Sequence, residues 1–278
     1  MKIEYAYYSG IGNTFILING LSKQLDTRHI SQLSSRLCNA KSGIGADGLI
    51  IASPSNLADI KMVIFNADGS IPEMCGNGIR CLARFAIDQQ LIHKQEFIIE
   101  TGAGNRSITI NNNNTISVDM GPPILQRSLI PMTGPDSPTV INHPITIDHD
   151  HYTFTAVSLG NPHAVIFDQP LKSLELNKIG PLIEKLPLFP NRINVEFAQV
   201  TTPNDATVRV WERGVGETQA CGTGACAVVV AGVLTQKLHR DVTITLPGGP
   251  LQIQWSEVTN HVLMTGDATY IKAGTFSV

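Results

Sequence analysis

The sequence predicts an α/β protein of the α+β type, built as two similar domains that each roll a largely antiparallel sheet around one helix. Three observations predict this. The chain repeats itself at a nearly constant offset, short β-branched runs recur through both halves, and each half holds one strongly apolar helical stretch.

The repeat comes first, because missing one misreads the whole fold. CGNG (Cys75 to Gly78) and CGTG (Cys221 to Gly224) are 146 residues apart. The strand KMVIFN, ending at Asn66, meets ATVRVWE, ending at Glu212, at the same 146. TGAG (Thr101 to Gly104) also falls on PGGP (Pro247 to Pro250) at 146. GNTFILI (Gly12 to Ile18) meets GNPHAVI (Gly160 to Ile166) at 148, and Gly121 meets Gly266 at 145. One match of Gly-rich tetrapeptides would be chance; an ordered series at one offset is a duplication. The Pro-containing stretch from Gly121 to Pro144 discourages a helix and joins the halves. The expected domains are 1–120 plus 269–278, and 121–268, with the last strand YIKAGTFSV exceeding the repeat and crossing back to the first domain.

Taken in order, KIEYAYY, TFILIN, KMVIF, EFIIET, RSITI and TISVDM read as strands in the first half. HYTFTAVSL, HAVIFD, INVEF, TVRVWE, VTITL, LQIQW and HVLMT follow in the second. The helices begin just after each CGxG, over about 78–91 and about 224–238. The second is apolar on nearly every face (Ala225 to Val230), so strands must enclose it.

Composition excludes several classes of function. A net charge of −3 with no Lys/Arg run predicts no nucleic-acid partner. The most apolar run, Ala225 to Leu234, is far below the ~20 residues of a membrane helix. MKIEYAYYSG lacks the features of a signal peptide, and five cysteines in a chain of 278 residues fit a reducing cytoplasm better than a disulfide framework.

Cys75 and Cys221 each stand where a Gly-flanked loop enters a helix. The first turn of a helix offers unpaired N–H groups and partial positive charge, which favour thiolate over thiol and bind anions such as a carboxylate. Racemising an amino acid without a cofactor demands both properties, because charge flows onto the α-carboxylate as the proton leaves. Inversion also needs a base on each face of the carbon, which a duplicated domain supplies. Cys38, Cys81 and Cys226 have no partner at the repeat offset and read as small core residues. With no CxxC and no His cluster beside either thiol, zinc is not expected. GxxxxGK[ST] and a βαβ GxGxxG are also missing, so the Gly-rich loops do not read as nucleotide cradles.

NADGSIPEMCGNGIRC (Asn66 to Cys81) and ERGVGETQACGTGACA (Glu212 to Ala227), with GNTF, GIGADG (Gly43 to Gly48), GNPH and NVEF (Asn194 to Phe197), resemble the diaminopimelate epimerase family over almost the whole chain. The resemblance implies two pseudo-symmetric domains, each a β-barrel around a central helix, with the active site in the cleft between them. It implies interconversion of LL- and meso-diaminopimelate for lysine and cell-wall synthesis, without pyridoxal phosphate or metal, in a protein that commonly forms a homodimer. Cys75 and Cys221 match the catalytic thiols. Asn13, Asn66, Asn161, Asn194, Glu212 and Arg213 match substrate-binding positions, with backbone donors from Gly76, Asn77, Gly222 and Thr223. His163 and Glu212 match residues that help set thiol protonation. The fork of an Arg suits a distal carboxylate, and Glu212 can accept from a distal ammonium. This chain departs from many members at NAKSGIGADG (Asn39 to Gly48), where Gly48 replaces a Gln that some members use.

Three other readings stand beside this one. The same scaffold could racemise proline, hydroxyproline or histidine, Cys75 and Cys221 could form a redox disulfide, or the protein could bind an amino acid without catalysis. The Glu212–Arg213 pair and the several Asn residues favour a substrate with two zwitterionic ends.

Overall fold

A computed structural model of the chain describes residues 2–21, 30–72, 74–167 and 169–277. Asp168, at the end of the expected HAVIFD strand, and the terminal Val278 lie outside the described residues. The first part of the chain forms β1 (Lys2–Gly10), β2 (Asn13–Asn19), α1 (Ile30–Cys38), β3 (Gly48–Ser53), β4 (Ile60–Asn66), α2 (Gly76–Asp88), β5 (Glu96–Thr101), β6 (Gly104–Ile110) and β7 (Ile116–Asp119). Next come β8 (Val140–Ile147), β9 (Asp150–Ser158), β10 (Pro162–Phe167), α3 (Leu176–Glu184), β11 (Asn194–Thr202) and β12 (Asp205–Glu212). The chain ends with β13 (Gly216–Thr218), α4 (Gly222–Leu234), β14 (Asp241–Leu246), β15 (Gly249–Trp255), β16 (Val262–Gly266) and β17 (Thr269–Ser277). The chain divides into two compact units, one of residues 1–118 and 265–278, the other of residues 119–264.

Strand pairing runs by the same scheme in each unit. In the first, β1–β2 is antiparallel, β2–β3 parallel, β3–β4 antiparallel, β4–β5 parallel and β5–β6 antiparallel. In the second, β9–β10, β10–β11, β11–β12, β12–β14 and β14–β15 repeat that order of directions. β17 pairs antiparallel with β1, and β8 takes the equivalent place beside β9. The sheets are therefore mixed and mostly antiparallel.

Each sheet curls about one helix. α2 packs against β1, β2, β3, β4 and β17, and α4 against β9, β10, β11, β14 and β15. Every residue of α4 from Ala225 to Ala231 is 0% exposed, so a helix that is apolar all round has strands on every side. No helix among the described residues is long and apolar enough to cross a membrane.

Some elements differ from the sequence reading. β3 is an unbroken apolar run, GLIIAS, with no alternation to mark it, because it is buried on both faces. Pro144, expected in the connection between halves, instead lies within β8, whose printed partner is β9; a strand edge tolerates a residue with no N–H. α1 and α3 are nine residues each, too short for a firm periodic signal, and α3 also contains Pro181.

Candidate active site

Both repeat cysteines are N-caps. Cys75 precedes α2 with φ −137° and ψ 110°, and Cys221 precedes α4 with φ −128° and ψ 108°. The extended backbone at the cap turns each side chain toward the free N–H groups of the first turn. At the first mouth the Cys75 sulfur accepts from the Gly78 N–H at 3.4 Å. Asn77, buried in the same turn, donates from Nδ2 to Asn13 Oδ1 at 2.6 Å. Arg80, one turn further and fully buried, donates to Asn77 Oδ1 and to the Gly76 carbonyl, each at 3.0 Å, and to the Asp267 carbonyl at 3.3 Å. Arg80 thus clamps the turn that carries Gly76 and Asn77. Asn66 is exposed at the end of β4, where its side chain donates to Ser70 Oγ at 2.8 Å.

The second mouth is more acidic. Cys221 is buried, with its sulfur 3.5 Å from Thr223 Oγ1. Asn161 donates from Nδ2 to that hydroxyl at 3.2 Å, and Asn161 Oδ1 lies 3.1 Å from His163 Nε2. His163 Nδ1 lies 2.7 Å from Glu196 Oε1, and both side chains are 0% exposed. The result is a continuous polar chain from Glu196 through His163, Asn161 and Thr223 to the sulfur of Cys221.

Burial pushes the Cys221 thiol well above its ordinary value, and the charges of Glu212 and Glu196 push it further. The helix mouth was expected to favour thiolate; here burial and carboxylates outweigh the Thr223 hydroxyl and the Gly224 amide. Burial also raises Glu212, against the hydrogen bond it accepts from Thr218 Oγ1 at 2.6 Å. Asn194 accepts from the Arg213 N–H at 2.9 Å and donates to the Pro162 carbonyl at 2.9 Å, tying the end of β12 to the starts of β10 and β11. The Arg213 side chain is exposed and donates to the Asn191 carbonyl at 3.2 Å.

The glycines that begin the two GN motifs share one constraint. Gly12 and Gly160 have φ of 89° and 101°, a region that side chains disfavour, and each sets the following Asn at its mouth.

The first unit therefore gathers Asn13, Cys75, Gly76 and Asn77. The second gathers Asn161, His163, Glu212, Cys221, Gly222 and Thr223, with Asn194 supporting Arg213. Cys38, Cys81 and Cys226 are buried. Two residues escaped the sequence reading: Arg80, inside a buried helix, and Glu196, inside NVEF. A charged residue within an otherwise apolar element was the available signal for both.

The family model for diaminopimelate epimerase matches residues 5–126 and 155–271, covering both mouths and most of each unit. The chain belongs to the diaminopimelate epimerase family. A diaminopimelate epimerase from Moorella thermoacetica is 46% identical over 99% of both chains, and one from Nostoc punctiforme is 47% identical, again over 99% of both. Among solved structures, a PhzF-family phenazine biosynthesis protein from Bacillus anthracis matches with a TM-score of 0.73 over 100% of both chains, at 15% identity. At that identity the likeness is one of fold. Membership of the diaminopimelate epimerase family places the chain among isomerases.

Proposed function

We propose that this protein interconverts LL- and meso-diaminopimelate with Cys75 and Cys221 as its acid–base pair, acting from opposite faces of one α-carbon. One thiolate removes the α-proton, the other thiol delivers its own, and the roles exchange in the reverse direction. The observation that carries this reading is the matched placement of the two cysteines as N-caps of the two enclosed helices. The free N–H groups of each first turn suit the α-carboxylate as negative charge builds on it.

Asn13, Asn66, Asn77, Asn161, Asn194, Glu212 and Arg213 form the substrate set, with Gly76, Gly222 and Thr223 supplying backbone donors. Glu212 and Arg213 suit the distal ammonium and carboxylate, so a substrate lacking that second head would leave polar groups unpaired. His163 assists the protonation of Cys221 through Asn161 and Thr223. The thiols need no pyridoxal phosphate or metal, and a homodimer in the cytoplasm, taking a small amino-acid substrate, completes the proposal.

The test is deuterium wash-in at the α-carbon, run from both isomers in heavy water. Exchange should be lost with Cys75→Ala and with Cys221→Ala; full epimerisation in both variants ends the two-thiol reading. Proline, hydroxyproline and histidine in the same assay separate this substrate from those of other racemases.

A further inference from the structure

The two mouths are built from one duplicated pattern, but they do not carry the same charge. The strand register makes the comparison exact to the residue. In β2–β3, Phe15 lies opposite Gly48 and Leu17 opposite Ile50; in β10–β11, His163 lies opposite Asn194 and Val165 opposite Glu196. Phe15 and Ile50 in the first unit thus match His163 and Glu196 in the second. The offset of the CGxG motifs likewise sets Asn66 against Glu212. One copy of the fold forms its mouth with Phe, Ile and Asn where the other has His and two carboxylates. The fold itself does not require the charged set.

We propose that these carboxylates break the symmetry of the duplication, so that the free protein holds its proton on Cys221 and its thiolate on Cys75, with Glu196 as a positioning residue. The inference rests on the two-thiol reading and adds the resting state of each thiol. Cys221 is buried and faces Glu212 from β12 and Glu196 from β11, the latter bridged to His163 from β10. Thr223 and the Gly224 amide are the groups that favour its anion. Cys75 is partly exposed and accepts from the Gly78 N–H; among the described residues the titratable groups beside it are Arg80 and Cys81, on α2. A protein resting in this state is ready for the isomer whose α-hydrogen meets Cys75. After each turnover in that direction the thiolate is left on Cys221, and a proton must return there before the next.

Thiolate absorbance in the ultraviolet, titrated on the full chain, tests this without any turnover. Cys75→Ser leaves Cys221 to titrate, Cys221→Ser leaves Cys75, and the double variant gives the baseline of the other three thiols. The Cys75 step is expected at least about one pH unit below the Cys221 step, a tenfold difference in thiolate at fixed pH. Adding Glu212→Gln to the Cys75→Ser protein should move the Cys221 step down, which burial alone would not produce. Coincident steps, the reverse order, or a Cys221 step unmoved by Glu212→Gln overturn the inference. Loss of exchange in both single Cys→Ala variants with any of those results leaves the two-thiol reading intact; full exchange in both removes that reading itself.

Discussion

Gly224 has no room for a side chain because Glu196 is there: a Cβ on Gly224 would lie 2.7 Å from Glu196 Oε1. The carboxylate is also held 2.7 Å from His163 Nδ1, so it cannot easily retreat. In the first unit a Cβ on the matching Gly78 would lie 2.9 Å from Ile50 Cδ1, the tip of an apolar side chain. The second glycine of each CGxG is thus required by the strand beneath the helix, and in the second unit that strand presents a charge.

Gly224→Ala should therefore disturb the second mouth through Glu196. We expect a stability loss of about 1–3 kcal/mol, the usual cost of overpacking, and at least a tenfold fall in deuterium exchange. Urea unfolding and the wash-in assay check the two parts separately. Unchanged exchange would show that the position of Glu196 does not matter to the chemistry.

Removing Glu196 alone should cost more than replacing the whole buried pair. Glu196→Ala strands His163 in a site without water, at about 3–5 kcal/mol. The double variant His163→Phe/Glu196→Ile installs the residues of the first unit, and replacing a buried pair with apolar groups is often close to neutral. It should unfold within about 2 kcal/mol of the parent yet lose most of its exchange activity. A double variant that is less stable than Glu196→Ala would make the pair structural.

Legibility in the sequence followed the physics of each element. The duplication, both enclosed helices and most strands were readable because apolar periodicity and paired glycines record what must be buried. β3 was not, since a strand buried on both faces loses its alternation. Cys75 and Cys221 could be read from their matched spacing, and the N-cap geometry agrees with the loop-to-helix entry that spacing predicted. The raised Cys221 thiol could not be read: it depends on Glu196 and Glu212, which lie 25 and 9 residues away along the chain. Arg80 was equally hidden, because its partners become visible only once Gly76, Asn77 and Asp267 are placed around it.

Alkaline stability should report on a thiol that takes no part in the reaction. Burial pushes Cys81 up to about 12 from an ordinary 9.0, with the charge of Arg80 only partly opposing it. Above pH 9 an unfolded chain releases this proton while the folded protein retains it. Stability from this group is therefore complete below pH 9 and lost as pH rises toward 12, at about 1.4 kcal/mol per unit. Urea unfolding between pH 9 and pH 10.5 should show a slope that is shallower by about this amount in Cys81→Ala. An identical slope in the variant would assign the alkaline loss to other groups.

Asn194 and Arg213 should separate support of the site from contact with substrate. Arg213 is exposed, and its side chain is joined to the protein by one hydrogen bond, to the Asn191 carbonyl. Arg213→Ala should leave stability within about 0.5 kcal/mol while raising KM at least tenfold, because a forked donor to the distal carboxylate is lost. Arg213→Lys should recover little of this, since a point charge does not reproduce the fork. Asn194 is buried and bonded at both ends of its amide, to the Arg213 N–H and the Pro162 carbonyl. Asn194→Ala leaves those two backbone groups without this partner, at about 1–3 kcal/mol, and should raise KM as well because the end of β12 is no longer tied down. Steady-state kinetics with urea unfolding on the same samples checks both. If Arg213→Ala lowers stability as much as Asn194→Ala while KM stays unchanged, Arg213 belongs to the scaffold and the distal carboxylate must be held elsewhere.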